Sequence, residues 1–155
     1  MTRAKFANIR PGYVPRVKVP KPYKPKPPLE HAEAKAFMQW VRLNEAAHPE
    51  LRWLFAVPNG GHRNKVAAGK AKAEGARKGV PDYQMPVRFL NCPGLVIELK
   101  RVSGGAVSAE QKEWLAHYSA QGWVVHRCNG SGEAINALQA YIKLLRFKNP
   151  QAMAS

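Results

Sequence analysis

Aspartate is almost absent from this sequence. Asp82 is the only one in 155 residues, and all ten acids together face 25 lysines and arginines. The resulting net charge of +15 argues against a cationic partner and points to a polyanionic one, most commonly nucleic acid. A ribosomal-type or merely solubilising surface would have the same charge. Cysteine is also scarce. Cys92 and Cys128 stand far apart, without the C-x-x-C spacing of a metal or redox site. With no signal peptide ahead of them, the expectation is reduced thiols in a cytoplasm. No apolar run approaches the roughly 18 residues of a membrane span, so a soluble protein is expected.

The charge is uneven. Eight basic residues and no acid precede Glu30, in a stretch where "RPGYVPRVKVPKPYKPKPP" alternates proline with lysine. Such a segment cannot form a helix or a central strand and favours extended, polyproline-like conformations. Residues 1–28 therefore read as an arm, lying on phosphates, wrapping a second subunit, or simply leading into the fold. Residues 29–148 read as one folded domain and 149–155 as a tail.

Within the domain, a helix is expected from about Glu30 to Ala47, with Ala36, Phe37, Trp40, Val41 and Leu43 as its apolar stripe. "RWLFAV" reads as a strand closed by the "PNGG" turn. The alanine-rich 64–77 reads as a helix weakened by Gly69 and Gly75. Asp82–Val87 and Gly94–Lys100 read as two strands. "SAEQKEWLAHYSAQG" carries a capping-box pattern, Ser108 followed three positions later by Gln111, and a glycine stop at Gly122. "WVVHRC" reads as a strand. The final helix, "GEAINALQAYIKLLRF", puts Ala134, Ile135, Leu138, Tyr141, Ile142 and Leu145 on one face. The order implies an α/β domain with a small mixed sheet flanked by helices.

The chemistry concentrates in "GVPDYQMPVRFLNCPGLVIELKR". Side chains alternate along a strand, so Glu98 and Lys100 share a face and Leu99 takes the other. The apolar run Leu95-Val96-Ile97 marks a central, buried strand. If the two strands form a hairpin, Asp82 and Glu98 meet at one end of the sheet. Paired carboxylates repel unless a cation relieves them, and hard oxygen ligands suit Mg²⁺ or Mn²⁺. Lys100 could then orient a water or stabilise developing charge. Plainer readings exist for each residue: an edge ion pair for Glu98 and Lys100, a turn residue for Asp82. Gln111 could close the capping box or, being on the side of Trp114, Leu115 and Tyr118, face inward toward the carboxylates.

Pro81-Asp82, a spacer, then Glu98-x-Lys100 resembles the PD-(D/E)xK nuclease signature. The ordered blocks "LEHAEAKAFMQW", "HPELRWLFAVPNGG", "AEGARKGVPDY", "GLVIELKR" and "SAEQKEWLAHYSAQGW" resemble the virus-type replication-repair nuclease (VRR-NUC) family, in particular its small stand-alone phage members, from about Glu30 to Tyr141. The resemblance implies a restriction-endonuclease-like core and Mg²⁺-dependent DNA hydrolysis, with Mn²⁺ able to substitute. It implies Asp82 and Glu98 as metal carboxylates, Lys100 as catalytic lysine, Gln111 as an organising glutamine and the Leu99 backbone carbonyl as a further ligand. Glu30, or Glu33 one turn later, would complete the metal site. It further implies a homodimer cutting branched DNA such as Holliday junctions, in a bacterial or phage-infected cell. A non-catalytic DNA-binding module, or a flap- or single-strand-directed nuclease, are the rival expectations.

The link "PNGGHRNKVAAGKAKAEGARKG" is basic. Asn59, His62, Arg63, Lys65 and Lys78 are its candidate DNA contacts, against the alternative of a solvated helix face. Aromatics do not alternate with these charges, so the sequence does not indicate a single-strand stacking platform.

Overall fold

The computed structural model describes residues 30–58, 65–103 and 105–148. The arm, the tail, and Asn59, His62 and Arg63 lie outside the described residues.

Helix α1 spans Glu30–Asn44. Its buried line is Glu33, Phe37 and Val41. Leu43, expected in the apolar stripe, is 75% exposed, because two residues beyond Val41 is about 200° around a helix. Of the expected strand at "RWLFAV", Arg52 and Trp53 end a 3₁₀ turn, Pro49–Trp53, and only Phe55–Ala56 form β1. The cause is a spacing of three. Leu51 and Leu54 are both buried, and i, i+3 positions fall on one side of a 3₁₀ turn, whereas a strand would send them to opposite faces.

Helix α2, Lys65–Ala73, ends ahead of Gly75, whose φ of +96° is a left-handed stop. Strands β2 (Tyr83–Met85) and β3 (Leu95–Lys100) pair antiparallel, Tyr83 opposite Ile97. Helix α3 (Ala109–Ala120) crosses to β4 (Val124–Asn129), which lies parallel to β3. Helix α4 (Gly130–Lys148) closes the described chain. The sheet order is β1-β2-β3-β4. The element order and mixed sheet are those expected from the sequence.

Every residue of β3 is buried, as expected of the central strand. Its two faces differ. Leu95, Ile97 and Leu99 join Phe37, Val41, Tyr83, Leu138 and Tyr141 in the core under α1 and α4. Alternation turns Val96, Glu98 and Lys100 toward α3. The apolar face of α4 is spent in this core, with Ala134, Leu138, Tyr141 and Ile142 all buried. That face is therefore not free to form a subunit contact. The large apolar residues exposed on α4 are Leu144 and Phe147.

Candidate active site

Glu98 sits near the end of β3 and is fully buried. Its Oε1 receives the Lys100 ammonium at 2.6 Å and also accepts from the Gln111 side-chain amide. Its Oε2 is buried with no hydrogen-bond partner. Burial drives the Glu98 carboxyl up from 4.5 to about 7, and the negative charges of Asp82 and Glu30 push the same way. Lys100, by hydrogen bond and by charge, opposes the rise without cancelling it. An ordinary structural ion pair would leave neither an orphaned oxygen nor a half-neutral carboxyl at pH 7.

The hairpin sets Asp82 against the strand that carries Glu98. Buried Pro81 precedes it, its backbone carbonyl accepts from Val57 N–H at 2.8 Å, and its Oδ2 accepts from Leu99 N–H at 2.9 Å. The carboxylate thus bridges strands, with Leu99 sending its side chain into the core on the opposite side.

Gln111 performs both tasks the sequence offered as alternatives. Its Oε1 accepts from Ser108 N–H while its own N–H donates to Ser108 Oγ, a complete capping box. Its remaining group, the amide NH₂, donates to Glu98 Oε1. One side chain caps α3 and orients the carboxylate.

The two α1 glutamates separate cleanly. Glu33 is buried, and its Oε2 accepts from both Ser131 N–H and Ser131 Oγ–H at 2.7 Å, tying α1 to the start of α4. Glu30 is exposed and close enough to Glu98 for its charge to be felt there. Lys78 is exposed beside the loop that leads to Asp82, and Lys65 begins α2.

Sequence reasoning missed the cover over Lys100. A Cβ on Gly105 would meet Lys100 Cδ at 2.7 Å, and Arg127 of β4 holds the Gly105 carbonyl at 2.9 Å. The signal was the "SGG" break, legible as a close backbone approach.

Among the described residues, no three His, Cys, Asp or Glu side chains gather into a cage for a metal. The orphaned, fully buried Glu98 Oε2 beside a second carboxylate nevertheless fits a hard divalent cation. Mg²⁺ takes one or two protein carboxylates and fills its other positions with water and substrate phosphate. Both cysteines are free thiols, and burial pushes Cys128 up to about 11. No described helix is long and apolar enough to cross a membrane.

No protein-family model matches the sequence, and no curated protein matches it. A solved structure described as a VRR_NUC domain protein superposes with a TM-score of 0.65 at 24% identity, covering 77% of this chain and 93% of its own. The chain has the fold of that protein, the restriction-endonuclease-like mixed sheet flanked by helices that the sequence motifs implied.

Proposed function

We propose that this chain is a VRR-NUC nuclease that hydrolyses DNA phosphodiester bonds with Mg²⁺, Mn²⁺ substituting, and that it acts as a homodimer on branched duplex such as four-way junctions. The observation that carries the reading is the buried Glu98 carboxylate with one orphaned oxygen, flanked by Asp82, Lys100 and Gln111. A protein that only bound DNA would have no use for a buried, partly neutralised carboxyl, which costs desolvation energy.

Glu98 and Asp82 would hold the metal, with the Leu99 carbonyl and Glu30 completing its protein ligands. A bound divalent cation would polarise the scissile phosphate and lower the pKa of a nearby water. The chain's own groups set the geometry around it. Gln111 fixes the Glu98 rotamer. Lys100, held at 2.6 Å from Glu98 and roofed by Gly105, keeps its ammonium facing the site. There it can orient the attacking water or neutralise charge on the phosphate. Asn59, His62, Arg63, Lys65 and Lys78 would grip flanking phosphates. A two-fold homodimer would match the symmetry of a four-way junction and place two sites for paired nicks. Free thiols suit the cytoplasm of a bacterium or an infected cell.

The test is cleavage of a labelled four-way junction and a matched linear duplex by wild type and Asp82→Asn, with Mg²⁺ and with chelator. Paired, metal-dependent nicks on the junction, absent in the variant, support the reading. Tight binding without cuts on either DNA, in Mg²⁺ or Mn²⁺, rejects it.

A further inference from the structure

Beside the carboxylate cluster, Arg77, Lys78, Glu110, Glu113, Trp114 and His117 line a groove of about 380 Å³. The groove is built, since its two walls are locked together. Trp114 Nε1 donates to the Lys78 carbonyl at 2.9 Å. Gly79, at φ +81°, packs so closely on α3 that a Cβ there would lie 2.6 Å from the Glu110 carbonyl carbon and 2.8 Å from Gln111 N. The Glu110 carboxyl is held below its ordinary range by its own backbone amide, then by Ser108, and also by the charge of Lys78 across the groove. Trp114 and His117 meet edge to face, ring centres 6.2 Å apart.

The sequence offered no stacking platform because its basic run and its aromatics are far apart in the chain. The fold brings Arg77 and Lys78 against Trp114 and His117. We infer that this groove holds one unpaired nucleotide of the DNA strand, its base stacked on the Trp114–His117 wall and its phosphate on Lys78 and Arg77. The inference rests on the DNA-cleaving reading of the adjacent site and names a feature of its substrate. The occupant follows from the mixed charge. Glu110 and Glu113 would repel the two phosphate rows of a duplex. A single nucleotide can turn its phosphate to the cations and an exocyclic amino group to a carboxylate. Every base has a face to stack, so the contact tolerates sequence. Continuity with the site is direct: Gln111, bonded to Glu98, follows Glu110 on α3, and the Arg77–Gly79 loop leads into Pro81-Asp82.

The test is binding in chelator, where no cutting is needed. The probe is an end-labelled duplex carrying one unpaired 2-aminopurine, compared with the same duplex fully paired. Wild type is expected to bind the unpaired form about tenfold more tightly and to quench its 2-aminopurine fluorescence. His117→Ala, at an exposed position, and Trp114→Ala should lose the quench and most of the preference, while Trp114→Phe, which keeps a ring, should retain much of both. Arg77→Ala should weaken the unpaired form selectively. Equal affinity for both duplexes with unchanged fluorescence, or no binding of either, overturns the inference. A failure of the nuclease reading shows separately, as wild type that binds but does not cut when metal is restored.

Discussion

Gln111 joins the first turn of α3 to the end of β3 by donating its amide to Glu98 Oε1 while its carbonyl oxygen accepts the Ser108 N–H. Capping and carboxylate orientation are therefore separable by mutation. Ser108→Ala removes the cap and leaves the Glu98 contact, so it should cost about 1 kcal/mol in urea unfolding and leave most cleavage activity. Gln111→Ala should cost similar stability and also reduce cleavage by about 10²-fold, since it frees the Glu98 rotamer. Equal activity losses in the two variants would assign the effect to the helix end alone.

The raised Glu98 pKa has a pH signature. Its carboxyl titrates near 4.5 unfolded and at about 7 folded. Between those values the native protein holds a proton that the unfolded chain has released. Metal-free stability should thus be full below pH ~4.5 and fall, by on the order of 3 kcal/mol at most, as pH rises through 7. Glu98→Gln should flatten this part of the profile. A cation that stabilises the charged carboxylate acts where that charge costs most. Added Mg²⁺ should therefore raise Tm more above pH ~7.5 than at pH ~5, and barely at all in Glu98→Gln. A Tm rise that is independent of pH and survives the substitution would place the metal elsewhere.

Much of this site was legible because period two is strict. An E-x-K at the end of an apolar run fixes two side chains on one face, and a hairpin brings Asp82 to the same end. Local signals also worked where one residue type decides, as at the Ser108 cap and Gly122, whose φ is +80°. What could not be read depends on contacts between distant segments. Nothing near Glu33 in sequence announces Ser131, and nothing near Arg77 announces Trp114. The short β1 was obscured for another reason, because "RWLFAV" has the apolar composition of a strand, while the i, i+3 pair Leu51 and Leu54 draws its first two residues into a 3₁₀ turn.

Glu33 therefore invites a test of its own. Its Oε2 satisfies two part-buried donors at the first turn of α4, and a Cβ on neighbouring Gly130 would approach that oxygen to 3.3 Å. Glu33→Ala strands those donors and should destabilise the fold by about 1–3 kcal/mol in denaturant unfolding. Glu33→Gln keeps an acceptor and should recover most of that. If Glu33 were instead a metal ligand, Glu33→Gln would be stable and would lose the Mg²⁺-dependent rise in Tm.

Two glycines give opposite expectations for one substitution. Gly69 lies in α2 with nothing within 4 Å of an added Cβ, so Gly69→Ala should stabilise by about 0.5–1 kcal/mol through helix propensity and a less flexible unfolded chain. Gly79 combines φ +81° with backbone atoms of Glu110 and Gln111 at 2.6–2.8 Å from an added Cβ, and backbone cannot rotate aside as a flexible side chain can. Gly79→Ala should cost about 2 kcal/mol or more and push the Lys78 loop off α3. Because that loop runs into Pro81-Asp82 and its Lys78 carbonyl anchors Trp114, the displacement should reach the carboxylates and the groove together. Cleavage and the preference for an unpaired nucleotide should fall in the same variant, measured at a temperature where circular dichroism still reports a folded protein. Loss of only one of the two would show that the loop supports that site alone.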